Sequence, residues 1–146
     1  MNYSDDFLKE MPKTDLHIHL DGSIRLESMI EMAKNAKIVL PSDSVEGLKE
    51  QVYKEKYANL GEYLRGFQYT CGVLRDMENL ERAAYELAWD NINEGVSYIE
   101  PRFAPQLLMD PEKGIEMEEI LTRVDDGLKR AQKEYNNSKP VKENGL

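Results

Sequence analysis

The residues able to do chemistry concentrate in one run, Thr14-Asp15-Leu16-His17-Ile18-His19-Leu20-Asp21-Gly22. It holds both histidines of the chain, one residue apart. Leu16, Ile18 and Leu20 share one parity; Asp15, His17, His19 and Asp21 share the other. Successive side chains of a β-strand point to opposite faces, so a strand here has an apolar face and a face carrying two imidazoles flanked by carboxylates. Two imidazoles so placed can reach one cation from the same side, at Zn–N distances of about 2.0–2.1 Å. The His-x-His tripeptide by itself equally describes a strand whose polar residues face water. Gly22 is expected to end the strand and let the backbone turn sharply. Asp15 lies deeper and reads as a buried polar residue rather than a ligand. Asp21 has a second reading, as a helix cap.

The elements that must position this run follow from periodicity and punctuation. Residues 1–13 read as a polar lead-in, with Phe7, Leu8 and Met11 packing as a short helical turn. The strand occupies about residues 14–20. An amphipathic helix follows, with Leu26, Met29, Ile30, Ala33 and Lys37 at helical spacing and no obvious N-cap. Pro41 stops the next run, and Ser42-Asp43-Ser44 caps a short helix to about residue 50. Residues 51–59 carry little signal. Leu60–Leu74 reads as one helix with Leu64, Phe67, Cys71 and Leu74 on its stripe, where Cys71 is inert core. Asp76 is the N-cap of the next helix, whose stripe is Leu80, Ala83, Ala84, Leu87, Ala88 and Ile92. Trp89 falls off that stripe, and Gly95 sits where a C′ glycine belongs.

Val96–Phe103 reads as a second strand, ended by Pro105. Its Glu100 and Arg102 share a face and are expected inside the fold, where a buried carboxylate and guanidinium must pair. Ile115–Tyr135 reads as a long helix with Ile120, Leu121, Val124, Leu128 and Ala131 aligned. Residues 136–146 read as a loop or frayed tail. Strand, helices, strand, helix is the opening of an α/β fold. In parallel barrels functional groups sit at the carboxyl ends of strands, which is where His17, His19 and Asp21 fall.

Composition excludes several classes. The chain has 146 residues, 32% of them charged and 40% hydrophobic, as suits a globular domain with a real core. A net charge of −9 argues against binding a nucleic-acid backbone or an anionic membrane surface. No apolar run is long enough to span a bilayer, and the acidic start Met1-Asn2-Tyr3-Ser4-Asp5-Asp6 lacks a signal-peptide core. The single Cys71 cannot form an internal disulfide, consistent with a reducing cytoplasm.

The run from Pro12 through His17-Ile18-His19-Leu20-Asp21-Gly22-Ser23 resembles the first-strand metal motif of the adenosine deaminase family, within the amidohydrolase superfamily. Glu62-Tyr63-Leu64-Arg65-Gly66-Phe67 resembles that family's helix over the purine pocket, and Tyr98 through Pro105 resembles its second strand. The resemblance implies a TIM (β/α)8 barrel and a zinc (Zn2+) cofactor with His17 and His19 among its ligands. It implies nucleoside contacts from His19 and Asp21, Asp21 through a sugar hydroxyl, and an apolar lid from Tyr63, Leu64 and Phe67. For the lid positions, ordinary helix core explains Leu64 and Phe67 as well. The implied reaction is hydrolytic deamination of adenosine or 2′-deoxyadenosine to inosine or 2′-deoxyinosine and ammonia, in purine salvage.

A complete barrel takes about 250 residues, and two barrel strands are readable here. Residues 1–146 are therefore expected to form the amino-terminal part of one such domain, with intervening helices and an incomplete barrel. A catalytic zinc needs three protein ligands and an open position, yet the chain has two histidines. The family's remaining ligands and its proton-handling groups belong to later strands, so no catalytic residue is assigned in this chain, and by itself it is expected to be inactive. The expected partners are a small purine nucleoside and the remaining part of the barrel. A purine deaminase acting on adenine or a modified adenosine, or a non-catalytic fragment that binds a partner, are the alternatives.

Overall fold

The computed structural model describes residues 3–138. Met1, Asn2 and residues 139–146, with most of the expected tail, lie outside the described residues. Two strands, β1 (Lys13–His19) and β2 (Val96–Arg102), form a parallel sheet. A parallel pair needs a crossover connection. Here it is built from the helices α2 (Leu26–Ala36), α3 (Val45–Gln51), α4 (Leu60–Leu64), α5 (Phe67–Leu74) and α6 (Met77–Asn93). A short α1 (Asp5–Glu10) precedes the sheet, and α7 (Met117–Ser138) follows it and packs along α6.

Local chemistry sets most boundaries. Asp76 caps α6 by accepting from the amides of Glu78 and Asn79, and Ser44 caps α3 by accepting from Gly47. Gly95 follows α6 at φ 79°, and its bare Cα lies against the carbonyl oxygen of Lys9 at the end of α1. Only glycine fits both demands. The Lys13 ammonium donates to the carbonyls of Leu8, Lys9 and Met11, which satisfies the exposed end of α1.

One apolar cluster joins the crossover to α7. It contains Leu20, Met29, Met32, Val73, Leu74, Leu80, Leu87, Leu108, Ile120 and Val124. Leu80 is fully buried, and truncating such a leucine costs about 2–5 kcal/mol. The Arg25–Asp90 pair, although bidentate, leaves both side chains 40% exposed, and an exposed pair contributes about 0–1 kcal/mol. Apolar burial therefore decides how the helices pack. Tyr85 of α6, Trp89 and Tyr135 of α7 meet edge-on, with centroids 6.4 Å apart in each pair.

Five expectations need correction. Leu16 is 56% exposed instead of sharing the apolar face of Ile18. The register sets Asp15 opposite Ile99 and Ile18 opposite Pro101, so β1 takes three steps where β2 takes two. This bulge breaks the strict alternation. The expected single helix over 60–74 divides at Arg65–Gly66, because Tyr53 packs on the bare Gly66 Cα and its hydroxyl donates to the Gly66 carbonyl at 3.2 Å. Lys37 ends α2 in the left-handed conformation and is exposed, and Met32 takes its place in the core. Leu121 is 49% exposed, and Gly127 lies on the buried face of α7 in its stead. Residues 136–138, expected in the tail, are the last residues of α7. No helix among the described residues is long and apolar enough to cross a membrane.

Gly127 sets the approach of α7 to α6. A Cβ there would collide with the carbonyl oxygen of Glu81 and meet the Ala84 methyl at 3.0 Å. Gly127→Ala should therefore lower unfolding stability by about 1–3 kcal/mol, the cost of overpacking, read as a lower urea midpoint. An unchanged midpoint would show that the two helices separate freely.

Candidate functional site

β1 delivers His17 and His19 to its carboxyl end, and a 3-10 turn over Leu20–Gly22 follows at once. The turn buries Leu20 in the core and leaves Asp21 8% exposed. Leu20 is thus the anchor, and its neighbours on both sides are fixed by it. The Ser23 hydroxyl donates to the His19 carbonyl at 2.6 Å and ties the turn back to the strand. The strand ends and the chain turns at Leu20–Gly22 as expected, but Gly22 needs no left-handed backbone for it, and an added Cβ would make ordinary contacts at 3.6 Å to His19 and 3.8 Å to the Phe67 ring.

The two imidazoles face each other, with their Nε2 atoms 3.3 Å apart. Two nitrogens on one tetrahedral ion with bonds of about 2.0–2.1 Å are themselves about 3.3–3.4 Å apart. The separation matches that of a pair on one cation and is also a hydrogen-bond distance between the two rings. His19 Nδ1 lies 3.3 Å from Asp21 Oδ1. An ionised carboxylate only accepts, so His19 carries its proton on Nδ1 and keeps a lone pair on Nε2. Asp21 thus pairs with Nδ1 of His19 while Nε2 of the same ring turns to His17, a contact that sequence alone did not assign to Asp21. Asp15, expected to be buried, is only half-buried, and its carboxylate accepts from the His17 amide at 3.1 Å. Among the described residues no group of three or more His, Cys, Asp or Glu is arranged to hold a metal ion; β1 brings two imidazoles together, and the turn after it sets a carboxylate against one of them.

The lid residues stand differently. Phe67 borders Gly22, and its ring meets Tyr63 edge-on at 5.8 Å, which in turn meets Tyr57 at 5.2 Å. Tyr63 and Leu64 are 46% and 49% exposed. Leu64 therefore does not belong to the helix core, and the helix-core explanation fails for it. Tyr57 extends the aromatic row and was missed because the 51–59 segment has no periodicity. Cys71 lies close enough to Asp21 to feel its charge. Burial first, and that carboxylate second, push its thiol up, so it is a poor nucleophile.

Glu100 and Arg102 contradict the expectation of a buried pair. Both are exposed, Glu100 accepts from the Tyr98 hydroxyl at 3.0 Å, and Arg102 donates to the Leu16 carbonyl at 3.4 Å. The sheet has two strands among the described residues, so its inner face is open to water and imposes no pairing. Arg102 is in register with His19, which sets its charge at the same end of the sheet as the imidazoles.

Comparison with known proteins agrees with this arrangement. The family model described as adenosine deaminase matches residues 12–141. An adenosine deaminase of Vibrio vulnificus is 41% identical over 136 residues, which are 92% of this chain and 39% of that protein. The chain thus spans about two fifths of the length of that relative. The crystal structure of an N6-mAMP deaminase of Arabidopsis superposes with a TM-score of 0.70 at 25% identity, over 86% of this chain and 36% of that one. An adenine deaminase of Arthrobacter aurescens shares the fold, with a TM-score of 0.71 at 21% identity over 85% of this chain and 36% of that one. Two parallel strands and their helices are accordingly part of a barrel that is not closed here. The family model takes in both strands and every helix from α2 to α7, and this chain belongs to the adenosine deaminase family.

Proposed function

We propose that this chain forms the amino-terminal part of a zinc-dependent adenosine deaminase, its residues 1–146 belonging to one barrel domain. The observation that carries the reading is the 3.3 Å approach of the two Nε2 atoms beside a carboxylate that pairs with Nδ1 of one of the rings. His17 and His19 would hold the metal. A bound zinc ion supplies Lewis acidity that lowers the pKa of a water to about 7. The substrate would be adenosine or 2′-deoxyadenosine, which loses its C6 amino group to water as ammonia. Relatives named for adenosine reach 43% identity, against 25% for the N6-mAMP deaminase and 21% for the adenine deaminase, which favours adenosine.

The other roles follow from the chain's own atoms. A carboxylate has about four acceptor positions, so Asp21 can hold His19 through Oδ1 and still receive a ribose hydroxyl. Phe67 and Tyr63, with Leu64 beside them, provide apolar surface against a purine face and exclude water from it. Later strands would provide the remaining ligands and the proton-transferring group. One cysteine in the chain suits a reducing compartment, and we place the protein in the cytoplasm, in purine salvage.

The test joins this chain to its downstream coding sequence. The full-length protein should convert adenosine to inosine and carry zinc, while His17→Ala and His19→Ala should abolish both. Retention of metal and activity by these variants would refute the assignment. Asp21→Asn should weaken zinc affinity by about 10–100-fold, as loss of an orienting carboxylate does, read by competition with a chromogenic chelator. The 146-residue chain alone should be inactive, because it brings two of the three protein ligands a catalytic zinc needs. Zinc-dependent inosine formation by that chain would overturn this.

A further inference from the structure

The segment before α4 carries no sequence periodicity, yet the structure ties it to α4 at three points. Glu62 Oε1 accepts from Lys54 Nζ at 2.9 Å, and its Oε2 accepts from the Ala58 amide at 2.7 Å. Asn59 Oδ1 accepts from the Glu62 amide at 2.9 Å. Asn59 therefore caps α4, and Glu62 reaches back one residue further to the Ala58 amide and to Lys54, a variant of the N-x-x-E capping pattern. At the other end of α4, the Tyr53 hydroxyl donates to the Gly66 carbonyl, at the joint where α4 and α5 divide. Tyr57 meets Tyr63 from the same segment.

A helix of five residues does not hold its own shape in water. In α4 no residue is buried, so the apolar core does not hold it either. Its place depends on the segment 52–59, which grips it at both ends. The backbone amide of Ala58 and then Lys54 hold the Glu62 carboxyl below the usual carboxylate range, as a charged, doubly bonded group requires.

We propose that Glu62 is a positioning residue for substrate binding: it clasps residues 54–58 to α4 and so fixes where Tyr63 and Leu64 stand beside Phe67 and Gly22. Glu62 touches neither the imidazoles nor Asp21 and has no part in the chemical step. The inference rests on the reading of Tyr63, Leu64 and Phe67 as the apolar wall of the nucleoside pocket. Tyr53 holds the second end of the clasp through one hydroxyl.

The experiment uses the full-length protein and two readouts. In hydrogen exchange, Glu62→Ala should raise exchange across residues 52–66 while α6 keeps wild-type protection. In steady-state kinetics on adenosine, Glu62→Ala should raise KM by about five- to tenfold, the size of a lost helix cap, with kcat within about twofold. Glu62→Gln keeps an oxygen for the Ala58 amide and should restore most of the protection and of KM. Tyr53→Phe should loosen residues 63–67 but leave 54–58 protected. Unchanged exchange over 52–66 in Glu62→Ala, or exchange rising equally in α6, overturns the clasp. So does a wild-type KM in an active protein, or a loss confined to kcat. A wild-type protein that does not deaminate adenosine refutes the proposed function instead, and the exchange comparison still decides whether Glu62 holds α4.

Discussion

Leu20 is the constraint on which the rest of the site depends. It follows the last residue of β1 directly and is 1% exposed, seated among the core side chains that α2, α5 and α6 contribute. Burying one such leucine is worth about 1.5–3 kcal/mol, and that energy is spent at the exact point where the strand gives way to the turn. His19 on one side and Asp21 on the other cannot shift without unseating it. The polar pair is therefore held beside an apolar anchor, and the two imidazole nitrogens meet at 3.3 Å where the strand gives way to the turn.

The bulge in β1 serves the same end. A strictly alternating strand would put Asp15, His17 and His19 in one row. The register shift between Asp15 and Ile18 releases Asp15 from that row and lets it accept from the His17 amide. The shift exposes the Leu16 side chain, and the Leu16 carbonyl meets Arg102. A bulge beside a site re-aims side chains that pairing alone would misdirect, and it is paid for here by one uncovered leucine.

What was legible in the sequence was local. The Asp76 cap, the Gly95 stop and the stripe of α6 are each set by neighbours within a few residues and stand where their patterns place them, while the His-x-His run forms the expected strand but loses its alternation at Leu16. The missed features depend on residues distant in sequence. Gly66 looks like an ordinary helical residue until Tyr53 arrives from thirteen positions away. Glu100 and Arg102 look like a buried pair because their parity says inward, but parity cannot say what covers that face. The Asn59-x-x-Glu62 cap is the exception. It is a local signal, readable from residue types alone, and it divides the quiet segment from the helix that follows.

The meeting of Tyr85, Trp89 and Tyr135 has a use that owes nothing to catalysis. Trp89 is the one tryptophan in the chain, and it stands between an aromatic ring of its own helix and one of α7. Its indole is only partly covered, and its surroundings change when α7 leaves. Removing α7 takes the Tyr135 ring off this indole, so the emission of Trp89 reports, without any label, whether α7 lies against α6. Tyr85 lies on α6 with Trp89 and stays beside it either way, so a change in emission reads the α7 side of the indole and gauges whether the α6–α7 layer is assembled.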